Sequence, residues 1–292
     1  MSRTLIPWFG GKHRLAPKII RLIPEDHVLY CEVFGGAASV LLNKPRSAAE
    51  VYNDLNDGLY SLFTVLADEQ HFAKFYGQLV LQRWSRKAFS RHLERWKCSS
   101  DVVERALAFF IMARQSFGAT CKTWGYERGK SNKVKSFLNA MVGLQDIHER
   151  TNGVIIESND WRKIFKAYDT SETVFYCDPP YVPATRRSKD DYQHELTFAD
   201  HEDLVKQLLA IEGRALLSGY AHDVYKPLEE AGWRRLEWSH SMSAAGTTRN
   251  HRGTLESKQR TECVWVHPRI QLTAALLDEL KAKLAVGLLR VK

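Results

Sequence analysis

An apolar run that ends at two consecutive prolines constrains this chain more than any other stretch of its sequence. Residues 173–177 read Thr-Val-Phe-Tyr-Cys, and Asp178, Pro179, Pro180 and Tyr181 follow directly. Short runs of β-branched and aromatic residues are typical of buried strands, and proline ends a strand because it has no backbone N–H to donate. In open α/β sheets, ligands bind at the carboxyl ends of the strands. The sequence therefore predicts an α/β fold with a carboxylate and an aromatic ring at the ligand-binding end of a central strand.

These four residues suit the binding of a planar exocyclic amine. The lone pair of such an amine is delocalised into its ring, which makes the nitrogen a poor nucleophile. Asp178 and the Pro179 carbonyl could each accept one N–H and favour the pyramidal amine that attacks an electrophile, while Tyr181 stacks on the ring. The alternative is a strand-ending turn in which Asp178 is only a capping residue.

A second predicted strand, over residues 28–34, is followed by a turn of small residues from Gly35 to Ser39. Small residues let a ligand approach the backbone closely, and the helix expected from Val40 onward would add a partial positive charge at its N-terminus. The next short strand ends at Asp54, where an acid is placed to accept hydrogen bonds from ribose hydroxyls. The alternative for this acid is the N-cap of the following helix, which Asp57 could provide equally well.

The segment Pro7-Trp8-Phe9-Gly10-Gly11-Lys12 has the composition of a loop that folds over a ligand. An aromatic side chain such as Trp8 can cover a flat or cationic group, and Lys12 can reach a carboxylate. The alternative is an ordinary N-terminal arm.

Positive charge is concentrated in one segment of the chain. Residues 82–135 contain 13 Lys and Arg against 4 Asp and Glu, so this segment has a net charge of +9. The whole chain has a net charge of +8, so the remainder is close to neutral. Such a segment is what the neutralisation of phosphates requires, and aromatic residues lie between the charges. Residues 114–118 and 122–133 within it are polar, basic and punctuated by glycine, and we expect them to form a DNA-contacting loop, with a solvated surface loop as the alternative. The residues proposed to bind DNA are Arg114, Lys122, Trp124, Tyr126, Arg128, Lys130, Lys133 and Lys135.

Taken together, segments 7–12, 32–39, 53–56 and 178–181 resemble the Dam-like, D12-class DNA adenine-N6 methyltransferases in both content and order. The resemblance implies S-adenosylmethionine as methyl donor, double-stranded DNA as partner, and extrusion of the target adenine from the helix. It implies a Rossmann-like catalytic domain, residues 1–66 and 151–292, with an inserted, mostly helical DNA-recognition domain, residues 67–150. The implied catalytic residues are Asp178, Pro179, Pro180 and Tyr181. The implied cofactor-binding residues are Trp8, Lys12, Phe34, Gly35, Gly36, Ala37, Ser39, Asp54, Asp160 and Asp178.

The same resemblance suggests roles for two further segments. Asp160 follows a strand predicted over residues 153–157, and it either approaches the adenine of the cofactor or caps the next helix. Gly246 to Arg249 resembles the family's mobile segment near the flipped base, which adds Arg249 and Arg252 to the predicted DNA contacts. Residues 114–120 depart from the pattern of the members that methylate GATC, so the resemblance does not extend to a recognition sequence.

The remaining composition narrows the class of protein. The five cysteines are scattered without a CxxC pair, which favours reduced thiols in a cytoplasmic protein without a structural metal. The DNA partner that the resemblance implies makes such a protein nucleoid-associated. Cys177 is expected to be a buried strand residue rather than a nucleophile. The sequence shows no membrane-spanning stretch and no signal-peptide pattern, and it leaves open whether the protein is a monomer or a weak dimer.

Two other functions stay open at this point. One is a methyltransferase that modifies amino groups of RNA or of a protein glutamine. The other is a DNA-binding protein that has lost catalysis.

Overall fold

The computed structural model describes residues 3–8, 10–126, 132–185, 194–241, 259–282 and 289–291. Its internal contacts divide the chain into two compact units, Met1–Ile20 with Val28–Tyr168 and Arg21–His27 with Asp169–Lys292. Each unit combines strands and helices, so the predicted α/β class is confirmed.

The first unit contains a parallel three-stranded arrangement with the strand order β3-β2-β1. Its elements are α1 (Ala16–Ile20), β1 (Leu29–Glu32), β2 (Ala49–Asn53), α2 (Asp57–Ala67), α3 (Glu69–Leu79), α4 (Arg86–Cys98), α5 (Val102–Gln115), α6 (Lys133–Val142), α7 (Leu144–Thr151), β3 (Ile155–Glu157) and α8 (Trp161–Tyr168). The strands predicted around residues 28–34, 51–54 and 153–157 are all present.

Helix α5 is the hydrophobic centre of the helical part of this unit. Its N-cap is Asp101, whose carboxylate accepts from the backbone N–H groups of Val103 and Glu104 at 2.7 and 3.1 Å. The acid at position 101 and the helical spacing of residues 101–112 predict a helix in which Phe110 packs, and Phe109 and Phe110 are both buried in α5. The helix packs against α2, α3 and α4. Whether residues 67–150 form an inserted domain of their own stays a prediction.

The second unit has the strand order β4-β5-β7-β6-β8. Strands β4 and β5 are parallel, and β7, β6 and β8 each pair antiparallel with the strand before them in this order. Its elements are β4 (Thr173–Cys177), α9 (Phe198–Ala210), β5 (Arg214–Gly219), α10 (Lys226–Glu230), β6 (Arg234–Ser241), β7 (Gln259–Val266), α11 (Ala274–Ala282) and β8 (Leu289–Val291). Every residue of β4 is buried, which confirms the strand predicted over residues 173–177.

The helix predicted after the small-residue turn is wrong. The described chain between β1 and β2 forms consecutive turns, with no regular helix. Ala38 has a φ of 51°, which a right-handed helix cannot contain, and Pro45 disfavours helical geometry at the residue before it. These two residues bound the segment on both sides, and its residues form turns instead of a helix.

Residues 271–289 of the sequence read as a terminal helix, and this prediction is wrong at its end. Helix α11 ends at Ala282, and Leu289 begins β8, which pairs with Trp238 in β6. The strand β6 was not predicted, although Leu236 and Trp238 alternate with polar residues there. The pairing of β8 with β6 explains why the apolar segment that begins at Leu289 forms a strand.

Candidate active-site residues

The glycine turn after β1 is fixed by the end of β2. The Gly35 amide donates to the Asn53 carbonyl at 2.8 Å, and the Tyr52 hydroxyl donates to the Gly36 carbonyl at 2.7 Å. A Cβ on Gly35 would lie 2.1 Å from the ring of Tyr52, and Gly36 has a φ of 50°. Gly35 therefore has no room for a Cβ, and Gly36 has a left-handed backbone that glycine adopts without strain.

Asp54 bridges this turn and the start of α2. Its Oδ2 accepts from the Gly36 amide and its Oδ1 from the Asn56 amide, both at 2.8 Å. The N-cap of α2 is Asn56, whose side chain accepts from the amides of Gly58 and Leu59. The alternative that Asp54 or Asp57 caps this helix is therefore wrong, and the Asp54 carboxylate is held at the end of β2 by two backbone donors.

Asn53 is a site residue that the sequence did not assign a role. Its side-chain amide donates to the carbonyls of Val33 and Asn159 at 2.9 and 3.0 Å and accepts from the Asn159 amide at 2.8 Å. It thus ties the turn after β1 to the turn after β3. The available signal was its place beside Asp54, at the end of a predicted strand.

The N-terminal loop lies against the same turn. Trp8 is half-buried, and its Nε1 would be 3.1 Å from a Cβ on Gly36. Lys12 is only 7% exposed and donates to the Gly10 carbonyl at 3.0 Å. Phe9 lies outside the described residues. The loop therefore brings an indole to the glycine turn and holds a buried ammonium against its own backbone.

The other residues predicted to bind the cofactor differ in burial and in hydrogen bonding. Phe34 and Ser39 are half-buried and Ala37 is buried. Asp160 caps α8, because its Oδ1 accepts from the Arg162 amide at 2.9 Å. This capping bond leaves the predicted role of Asp160 toward the cofactor untested.

The residues that follow β4 surround a buried tyrosine. Asp178 is half-buried and Pro179 is buried, and Tyr181 is 6% exposed. The Tyr181 hydroxyl donates to Oε2 of Glu262 in β7 at 2.5 Å. Burial raises the pKa of Tyr181 well above its usual value, and the nearby charges of Asp178 and Glu262 add to this, so the phenol is neutral at physiological pH.

The neighbouring cysteine has no nucleophilic character. Cys177 is fully buried in β4, and burial followed by the charge of Asp178 raises the pKa of its thiol. A protonated, inaccessible thiol cannot attack a substrate, which confirms that Cys177 is a core residue.

Nine of the ten predicted DNA-binding residues fall into three groups. Lys122, Tyr126 and Lys135 are exposed. Trp124 and Lys133 are half-buried, with Arg86 lying 4.9 Å from the Trp124 ring and Lys133 lying 5.8 Å from the Phe117 ring. Arg128, Lys130, Arg249 and Arg252 lie outside the described residues.

Arg114 differs from the rest of this set. Its guanidinium donates to the Thr4 carbonyl at 2.9 Å and to the Leu5 carbonyl from both Nε and a terminal nitrogen. Burial lowers its pKa to about 10, which leaves it charged at neutral pH. This side chain therefore holds the N-terminal segment that leads into Trp8.

The loop that follows α5 is closed by backbone hydrogen bonds. The Phe117 amide donates to the Thr123 carbonyl at 2.8 Å, and the Gly125 amide donates to the Gln115 carbonyl at 2.7 Å. Phe117 is exposed at its surface. The two ends of the loop are therefore joined, and the cations of Arg86 and Lys133 lie against its aromatic rings.

Residues 8–220 match the family described as D12 class N6 adenine-specific DNA methyltransferase, which is more than half of the chain. The chain belongs to this family. The resemblance drawn from the sequence segments is confirmed. The D12 match contains the glycine turn, Asp54 and residues 178–181, and it ends before Glu262.

This D12-class chain is similar to proteins named DNA adenine methylase. One from Vibrio cholerae serotype O1 is 28% identical over 189 residues, which is 62% of this chain and 66% of the relative. One from Serratia marcescens is 26% identical over 233 residues, 76% of this chain and 84% of the relative. One from Escherichia coli K12 is 25% identical over 204 residues, 68% and 71% respectively. The chain thus spans just under two thirds of the length of the Vibrio cholerae relative.

Neither a membrane-spanning helix nor a metal-holding cluster is found among the described residues. No helix in the described ranges is long and apolar enough to cross a membrane. No three His, Cys, Asp or Glu side chains among these residues gather in a way that could hold a metal ion.

Proposed function

We propose that this protein transfers a methyl group from S-adenosylmethionine to N6 of adenine in double-stranded DNA. The observation that carries the proposal is the Asp178-Pro179-Pro180-Tyr181 segment at the end of a fully buried strand, in a member of the D12 family. The fold expected with this function is a Rossmann-like methyltransferase domain with an inserted helical recognition domain.

The residues of the first unit have the chemistry that S-adenosylmethionine needs. When bound, this cofactor supplies an electrophilic methyl group on a sulfonium. The oxygens of Asp54 are oriented by backbone N–H groups, and a carboxylate oxygen can accept a further hydrogen bond from a ribose hydroxyl. The ammonium of Lys12 has three N–H donors and a charge that suits the cofactor's carboxylate. Trp8 offers an indole at the glycine turn, where a Cβ on Gly35 would overlap the ring of Tyr52.

The residues of the second unit act on the acceptor amine. The N6 of adenine cannot be reached inside the base stack, so the base is extruded first. Asp178 and the Pro179 carbonyl each accept one N–H of the amine, which directs its lone pair out of the ring plane. Tyr181 packs on the face of the base. Positioning and electrostatics supply most of the rate enhancement in such a site.

The basic residues of the segment 82–135 bind the DNA backbone. The exposed Lys122, Tyr126 and Lys135 and the loop closed by Gln115 and Gly125 support this role. A charge of +9 in this segment favours a polyanion over a protein glutamine as the substrate.

A transfer assay with tritiated methyl groups distinguishes this function from its rivals. Equal amounts of protein are incubated with DNA lacking adenine methylation, with RNA and with protein extract. We expect label in DNA alone, on N6 of adenine after digestion to nucleosides. Label in RNA or protein would support the other amino-group methyltransferases, and binding of DNA without label would support a protein that has lost catalysis.

A further inference from the structure

The ring of Tyr181 is held from two sides by residues of the next strands in the second unit. Its hydroxyl donates to Glu262 in β7 at 2.5 Å, and the ring of Tyr220, which follows β5, meets it edge to face with centroids 4.6 Å apart. Strands β4, β5 and β7 are neighbours, so the three side chains converge at one end of adjacent strands.

The contact with Glu262 has the character of a charge-assisted hydrogen bond. Both side chains are buried, with 6% of Tyr181 and 9% of Glu262 exposed. Hydrogen bonds of a hydroxyl to a carboxylate at such short distances are about twice as strong as neutral ones. In a buried setting the bond also restricts the ring to one orientation, because breaking it leaves a desolvated oxygen without its donor.

We propose that Glu262 is a positioning residue for methyl transfer, which acts by fixing the orientation of the Tyr181 ring. The inference rests on the proposed function, in which the face of that ring packs on the target base. The hydroxyl is used inside the protein, so the group that Tyr181 presents to a base is its ring. Glu262 lies beyond residues 8–220, and the family match assigns it no role.

The geometry allows reach and charge to be tested separately at this position. Glu262→Gln keeps the length of the side chain and an oxygen acceptor, whereas Glu262→Asp keeps the charge and withdraws the acceptor by one methylene. Tyr181→Phe removes the donor. Glu237→Asp is the matched control, because Glu237 is equally buried in the adjacent β6, opposite Cys263, and binds Arg235 at 3.0 Å.

The measurement is the single-turnover rate of methyl transfer to plasmid DNA without adenine methylation, together with KM for S-adenosylmethionine and the thermal midpoint. We expect Glu262→Asp and Tyr181→Phe to slow transfer by about 10- to 100-fold at an unchanged KM, the scale of a small misplacement in an active site. Glu262→Gln should stay within about threefold of wild type. The double variant Tyr181→Phe with Glu262→Asp should be no slower than the slower single variant, since both remove one bond.

Several results would overturn the inference. These are a wild-type rate in Glu262→Asp, equal losses in Glu262→Gln and Glu262→Asp, losses that multiply in the double variant, or the same loss in Glu237→Asp. If Glu262→Asp shows no cooperative unfolding, a wild-type rate in Tyr181→Phe is sufficient to reject it. A wild-type protein that methylates no DNA would reject the proposed function itself, and this inference with it.

Discussion

Asp178 concentrates the proposed chemistry in one side chain, since it is the acidic residue that directly follows the buried strand β4. Replacing it by Ala removes a hydrogen-bond acceptor for the amine and leaves the first unit unchanged. We expect Asp178→Ala to lower the single-turnover rate by at least about 100-fold, and to change the affinities for S-adenosylmethionine and DNA by only a modest factor. Rapid-quench methyl transfer with equilibrium binding of both ligands tests this.

Asp178→Asn is the graded variant in the same experiment. An amide oxygen still accepts one hydrogen bond, so the asparagine variant should be impaired less than the alanine variant. Substantial single-turnover activity in Asp178→Ala would reject its catalytic assignment.

At this scale the sequence predicts which residues cluster near a strand end but not which distant residues hold them. It predicts Tyr181 as a stacking ring, from which Tyr181→Phe would be expected to be harmless. The hydrogen bond to Glu262 changes that expectation, and 81 residues separate the two in sequence. The role of Asn53 was not predicted for the same reason, because its partners Val33 and Asn159 come from two other segments. No local pattern encodes such contacts.

Helix α5 connects two elements that the sequence had treated separately, the N-terminal loop and the basic loop after residue 115. Phe109 lies 6.0 Å from the Trp8 ring, and Arg114 binds the carbonyls of Thr4 and Leu5. We therefore expect Arg114→Ala to weaken the binding of S-adenosylmethionine by about tenfold, roughly 1.4 kcal/mol. Arg114→Lys should recover part of the loss, because an ammonium donates without the planar fork of arginine. Calorimetric titration of the cofactor measures both.

Measuring the DNA affinity of the same variants tests the opposite assignment of Arg114. If Arg114 instead contacts a phosphate, as the sequence suggested, Arg114→Ala should reduce the salt dependence of DNA binding by about one unit of slope and leave the cofactor affinity unchanged.

A buried ion triad joins the start of β2 to α7 in the first unit. Glu50 accepts from Lys44 at 2.5 Å and from Arg150 at 2.6 and 2.8 Å, and all three side chains are buried. Burial raises the pKa of Glu50, but the hydrogen bonds from Arg150 and Lys44 outweigh it and the net pKa is lowered. We expect Glu50→Gln to lower the free energy of unfolding by about 3 kcal/mol, because two buried cations lose their counter-charge.

The pH dependence of that loss has a definite sign. Since the folded pKa of Glu50 lies below its unfolded value of about 4.3, its contribution is complete above that pH and is lost as the pH falls through the folded pKa. The difference between wild type and Glu50→Gln in urea denaturation should therefore shrink in acid. Asp26→Ala is the control: Asp26 pairs with Arg214 but is 76% exposed, so its loss should cost less than about 1 kcal/mol.

Helices and strands were predictable from the sequence where a single local pattern determined the secondary structure. Strand β4 and helix α5 follow from apolar runs and an N-cap, and both were predicted close to their observed bounds. The segment after Gly35 was not, because the left-handed backbone of Ala38 is set by packing around the turn rather than by its own preference. The end of α11 was wrongly predicted for a similar reason, since Leu289 is a strand residue only through its pairing with β6.

At the scale of the whole molecule, the distribution of charge is the property that can be tested directly. Residues 82–135 carry +9 while the rest of the chain is nearly neutral. If this segment lies along the DNA backbone, affinity should fall steeply with salt, since each neutralised phosphate contributes about −0.9 to the slope of log affinity against log salt. The slope thus reports how many phosphates the protein neutralises, without requiring a known recognition sequence.

Replacing Lys130, Lys133 and Lys135 with Ala should flatten that slope by about one unit for each phosphate that the variant no longer neutralises. The matched control replaces three exposed lysines outside the segment, Lys163, Lys206 and Lys226, and removes the same charge from the molecule. Fluorescence anisotropy of a labelled duplex between about 50 and about 300 mM salt, at about 25 °C, measures both slopes. We expect the control to keep the wild-type slope and both triple variants to bind S-adenosylmethionine normally. If the two triple variants instead show the same reduced slope, net charge rather than this segment governs DNA binding, and an unaltered slope in both would show that the three lysines of the segment are only a solvated face.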